Sequence, residues 1–119
     1  MSSLDELRPG SPHFGWSLRC VGDVVVVYLA GELDMLTLEE LRRKLFVLVG
    51  SVDARRVVLD LSELEFISAG SVGVILSARD AAAARGRVLC VDGLHGISAR
   101  VFEVLGLEAL VCRSNNGSR

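Results

Sequence analysis

Three kinds of residue in this chain could do chemistry: serines at one helix start, a carboxylate and histidine further on, and three scattered thiols. The run Ala69-Gly70-Ser71-Val72-Gly73 comes near G-x-S-x-G, the strand-to-helix elbow that exposes a nucleophilic serine in α/β-hydrolases. Asp92 and His95 follow in the order Ser, Asp, His that such enzymes use. The chemistry would be acyl transfer, with the histidine taking the serine proton. A hydrolase of that kind also needs a larger sheet, a glycine-rich oxyanion loop and a deep pocket, which 119 residues do not supply. His95, three residues after Asp92 in one loop, is more simply a solvated side chain, so no enzyme is expected and the small serine hydrolase stays a remote alternative. Ser68 and Ser71 have two simpler uses: to cap the helix by accepting backbone N–H groups, or to accept a phosphate. Cys20, Cys90 and Cys112 lie far apart without a C-x-x-C pair, which argues against a zinc site and against an extracellular disulfide framework. In a reducing compartment they should be thiols.

Composition narrows the classes further. The chain is 50% apolar, 24% charged and 5% aromatic, as an ordinary single domain is. Thirteen basic and fifteen acidic side chains leave a net charge of −2, so the basic stripe that nucleic-acid binding needs is not there. The longest apolar run, residues 24–30, is far short of the roughly 20 residues that cross a bilayer. No membrane span, no nucleic-acid partner and no cofactor are expected. The first twelve residues show no apolar h-region or small-residue cleavage site, which predicts a cytoplasmic protein. Twelve arginines against the single Lys44, with abundant Ala, Val, Leu and Gly, suit a GC-rich bacterial genome.

The elements that must position these residues follow from periodicity. Residues 1–14, with Gly10 and two prolines, and residues 114–119 read as flexible ends around a domain at 15–113. Residues 16–21 and 24–30 are β-rich and are joined by Gly22-Asp23, which predicts an antiparallel hairpin with its first turn residue at positive φ. Thr37-x-x-Glu40 predicts a capping box, followed by Leu38, Leu41, Leu45 and Leu48 at helical spacing and Gly50 as a stop. Residues 56–61 form a short continuous apolar run, as in a strand buried on both faces. A second helix is expected over about 70–85, a strand at 87–91, a short third helix at 98–105 and a last strand at 109–113. Strands alternating with helices pair in parallel, so the expectation is an α/β domain with a mainly parallel sheet of about five strands, opened by the hairpin, and three to four helices. Function in such sheets sits beyond the strands' carboxyl ends, here in the loops 31–36, 62–71 and 92–97.

Two of those loops carry a resemblance. Gly31-Glu32-Leu33-Asp34 after the second strand, and Asp60-Leu61-Ser62-x-Leu64-x-Phe66-Ile67 leading to Val72-Gly73-Val74, resemble the STAS domain of anti-sigma factor antagonists. Gly106-Leu107-Glu108 looks like that family's G-L-[DE] before its last strand, and the similarity covers about residues 16–113. The resemblance implies a binding module without catalysis. Its partner would be an anti-sigma factor of the ATPase-type serine kinase class, whose capture frees a sigma factor for transcription; the module itself would be a monomer when free. Related small domains also serve as non-phosphorylated scaffolds in signalling or in lipid-transport complexes.

In the family the kinase phosphorylates a serine at the start of the second helix. A phosphate there adds roughly −1.5 to −2 charge to a surface that expects a neutral hydroxyl. The family reads Asp-Ser-Ser/Thr-Gly where this chain has Ser68, Ala69, Gly70 and Ser71, so the acceptor position is Ala69 and carries no hydroxyl. Either the protein escapes the kinase, or Ser68 or Ser71 accepts in a shifted register. Glu32 and Asp34 align with the acidic loop shown to the partner, with Ser68, Ser71 and Val72 as further contacts; Asp34 could instead hold the turn ahead of the first helix. Asp60 reads as structural, accepting N–H groups in the following loop. With strands in chain order, Cys90 and Cys112 are neighbours and form the one plausible intrachain pair, a possible redox input, while Cys20 lies on the far edge.

Overall fold

The computed structural model describes residues 14–51 and 53–112; of the flexible ends expected at 1–14 and 114–119 all but Phe14 lie outside them, and Phe14, half-buried against the core and edge-on to Trp16, does not belong to a loose end. Strands β1 (Gly15–Val21) and β2 (Val24–Leu33) form the antiparallel hairpin, and Gly22 takes the left-handed turn position at φ 57°. Helix α1 (Leu38–Ser51) leads to β3 (Arg56–Ile67), then α2 (Ala69–Ala83), β4 (Val88–Asp92) and α3 (Gly96–Val104). The sheet runs β1-β2-β3-β4, with β2/β3 and β3/β4 parallel.

A single buried layer holds it together. Val25, Val27 and Leu29 of β2 alternate with half-buried neighbours, as do Val57, Leu59 and Leu61 of β3. Leu41, Leu45, Leu48 and Val49 of α1 and Ile75, Ala78 and Ala82 of α2 join the same core cluster. The expectation that residues 56–61 are buried on both faces is corrected: alternate positions of β3 stay half-exposed, and only β4, with Leu89, Cys90 and Val91, is buried on both. Lys44 Nζ of α1 sits 5.5 Å from the Trp16 ring centre, which ties the first helix to the hairpin.

Three further expectations change. The fifth strand is absent among the described residues: 108–110 form a 3₁₀ turn (Glu108–Leu110), and only Val111 bridges Val91, with Cys112 N–H donating to the Val91 carbonyl at 2.7 Å. The Thr37/Glu40 capping box does not form, because Glu40 is drawn to Arg43 at 2.7 Å and Lys44 at 3.9 Å. Both central strands run further than expected, β2 to Leu33 and β3 to Ile67, so most of the loop placed at 62–71 is strand. Opposite Tyr28 to Ala30, β3 spends three steps, Asp60 to Glu63; opposite Gly31 to Glu32 it spends two, Leu64 to Phe66. Each shift is a bulge with one extra residue on β3, and together they convert the inward spacing from two to three at Leu61, Leu64 and Ile67.

Candidate functional site

The ends of β2 and β3 meet the start of α2 around one backbone oxygen. The Leu33 carbonyl accepts from the Ser68 N–H at 2.8 Å and from the Ser71 hydroxyl at 3.1 Å. Ser71 has then used its only hydroxyl proton, so the 3.0 Å contact between the two serine oxygens has Ser68 as donor. The Ser71 N–H returns the bond to Ser68 Oγ at 3.1 Å, which makes Ser68 the N-cap of α2. Both hydroxyls therefore fasten the helix start to β2.

This network corrects part of the expected contact set. Ser71 is 0% exposed and Val72 1%, so neither presents an atom to another protein, and a folded chain offers Ser71 to no kinase. The nucleophile reading fails on the same ground: the Ser71 hydroxyl points at a carbonyl inside the protein, and among the described residues no hydrogen bond joins it to His95 or Asp92. The Asp92 carboxylate accepts from the Gly93 N–H, and the His95 backbone N–H donates to Ser98 Oγ at the start of α3. Ala69 and Gly70 are exposed and Ser68 half-exposed, so the position that carries the hydroxyl in the resembling family is open to solvent and has only a methyl group.

Asp34 is occupied by its own turn. Its Oδ1 accepts from the N–H groups of Leu36 at 3.0 Å and Thr37 at 3.2 Å, while its N–H donates to Thr37 Oγ1 at 2.9 Å. A carboxylate used this way fixes the chain direction ahead of α1. The result is that Met35 and Leu36 stand out at the turn's tip, 71% and 74% exposed. Sequence reasoning missed them, although two large apolar residues between Asp34 and Thr37 in a turn were the available signal. They adjoin α2: a Cβ built on Gly70 would lie 3.8 Å from Met35 Sδ and 3.7 Å from Leu38 Cδ1. Glu32 is exposed and pairs in register with Phe66, itself 41% exposed. Glu63 and Glu65 add exposed carboxylates along the same strand end. The surface is thus a small apolar knob beside a methyl-and-glycine helix start, flanked by acidic groups.

Asp60 does what the sequence suggests, its Oδ1 accepting from the Ser62 N–H at 2.9 Å and hydroxyl at 2.6 Å. The cysteines lie elsewhere. Cys20 is exposed on β1, whereas Cys90 and Cys112 are joined as a disulfide with Cα atoms 5.0 Å apart, so the expectation of free thiols holds only for Cys20.

Comparison with known proteins gives a consistent frame. The sequence profile of the family described as "Mlab, STAS domain" matches residues 16–112. The unphosphorylated form of the anti-sigma factor antagonist SpoIIAA superposes with a TM-score of 0.72 at 22% identity, over 85% of this chain and 89% of that one. An anti-sigma factor antagonist from Mycobacterium paratuberculosis gives a TM-score of 0.74 at 20% identity, over 87% of this chain and 86% of that one. A protein described as a possible anti-sigma factor antagonist of Thermotoga maritima gives 0.72 at 22% identity, over 81% and 82%.

Proposed function

Because this chain belongs to the STAS family, we propose that its exposed surface at the start of α2 docks an anti-sigma factor of the ATPase-type serine kinase class, and so frees a sigma factor for transcription. The observation that carries the reading is the juxtaposition of the Met35–Leu36 knob with the exposed Ala69 and Gly70. Methionine is enriched at the centre of interfaces, and exposed apolar tips rimmed by polar groups mark interaction sites. A standard interface covers only about 800 Å² per partner, which this end of the molecule can provide. Glu32 and Ser68 lie at the edge of the same surface, and Asp34 supports it from below by holding the turn.

Ala69 makes the module insensitive to the kinase. It occupies an open helix start, where a serine would be reachable and where a phosphate would place charge against the apolar knob. Ser68 donates to Ser71 and accepts its N–H, so phosphorylating Ser68 would first break the cap. The protein acts as a cytoplasmic monomer that remains competent to bind.

The second reading keeps the fold and changes the partner to another signalling or lipid-transport assembly, and it is favoured by the missing hydroxyl at Ala69. One experiment separates them. The purified protein and its Ala69→Ser variant are incubated with the anti-sigma kinase and ATP, and intact masses are read. The expected result is an unmodified wild type that co-elutes with the kinase, and a variant that gains one phosphate. A phosphorylated wild type overturns the escape from the kinase; no complex with the kinase, beside a complex with a transporter ATPase, favours the second reading.

A further inference from the structure

The far end of the sheet holds a cleft with different chemistry. It has a volume of about 500 Å³ and lies along the outer edge of β4, where no strand pairs with Val88, Leu89 or Cys90 among the described residues. Three arginines from three separate segments are among its lining residues: Arg56 from the first position of β3, Arg79 from α2, and Arg87 from the residue before β4. None of its lining residues is acidic. In a chain of net charge −2, three arginines around one cleft, of which only Arg79 has a carboxylate partner among the described residues, the exposed Asp80, are a local excess of positive charge.

Arg56 supplies the second observation. Its Nε is buried and has no hydrogen-bond partner, and its Nη2 reaches only Cys90 Sγ, at 3.8 Å. A buried cationic donor left unpaired is costly unless something accepts from it. Arg87 is different, since one of its nitrogens is anchored on the Val49 carbonyl at 2.8 Å, which fixes the position of the rest of its fork. Arg79 pairs with Asp80 on the surface at 3.2 Å and can exchange that exposed contact for an anion in the cleft.

We propose that this cleft binds the phosphate group of a small phosphate monoester. Arginines from three segments offer more donors than the two oxygens of a planar carboxylate can accept, whereas a tetrahedral phosphate presents oxygens in several directions. The remaining wall, with Leu89 and Val111, is apolar and suits a compact organic body, and the volume is of the size that small ligands occupy. The site is separate from the docking surface. Arg56 and Ile67 are the two ends of β3, roughly 30 Å apart at ordinary strand rise once the two bulged residues are left out.

Calorimetric titration with phenyl phosphate and, in parallel, with benzoate tests it on the wild type and on the Arg56→Gln and Arg79→Gln variants. The expected result is one saturable site for phenyl phosphate, weakened about tenfold in Arg56→Gln and about threefold in Arg79→Gln. Arg79 lies on a helix surface, so its variant keeps the test decisive should Arg56→Gln fail to fold. Absence of saturation up to roughly 20 mM ligand overturns the site, as does unchanged affinity in Arg79→Gln. Benzoate binding as tightly as phenyl phosphate overturns the assignment to phosphate.

Discussion

Leu33 is an ordinary buried leucine whose carbonyl does an uncommon amount of positioning, since it receives both the backbone of Ser68 and the hydroxyl of Ser71. Replacing Ser71 by alanine leaves the Ser68 hydroxyl without its acceptor and β2 without one tie to α2. The expected loss is about 1–2 kcal/mol in a denaturant titration. Replacing Ala69 by serine touches nothing buried, and the same titration should stay within about 0.5 kcal/mol of wild type. Ser68 as the cap was legible in the sequence, because a serine ahead of an apolar periodic run has a local role. The burial of Ser71 and Val72 was not, because it depends on a carbonyl 38 positions away. Asp34 sits between these cases. Its place ahead of the first helix suggested a turn, but that the turn leaves Met35 and Leu36 outward is visible only in three dimensions.

At the scale of elements, the two bulges of β3 shape the end proposed for docking. They prolong the β2/β3 pairing to Leu33 and Ile67 and so deliver the chain to α2 at the point where Ser68 can cap it. Gly31 lies at one register shift with φ +89°, and a side chain there is strained although no atom crowds it. Gly31→Ala should therefore cost about 1–2 kcal/mol, read as a lower denaturation midpoint with an unchanged slope. The hairpin and α1 were readable in advance, because Gly22-Asp23 and the leucine spacing are local signals. The second half of β3 was not, since the bulges give Leu61, Leu64 and Ile67 a spacing of three that no regular strand shows. The last strand failed for another reason: Gly106 turns the chain into a 3₁₀ segment, and among the described residues only Val111 bridges to the sheet. That ending is held by the Cys90–Cys112 link, which spans 22 positions. Two-electron reduction by dithiothreitol, converting the bond to two thiols, should lower stability by about 3 kcal/mol on loop-entropy grounds, and the Cys112→Ser variant should then show no further response to the reductant.

Taken as a whole, the molecule separates its tasks by place. A core of leucines and valines between the sheet and the first two helices carries the stability, and none of the residues proposed for docking belongs to it. An interior change such as Leu59→Ala should cost about 2–5 kcal/mol and weaken docking only through unfolding. A change at the tip of the 31–36 turn should do the reverse. The decisive measurement is a calorimetric titration of the ATPase-type anti-sigma kinase with the wild type and with the Met35→Asp variant, both shown folded by circular dichroism. The account predicts a one-to-one complex for the wild type and at least about tenfold weaker binding for the variant. Equal affinities for the two proteins would contradict it.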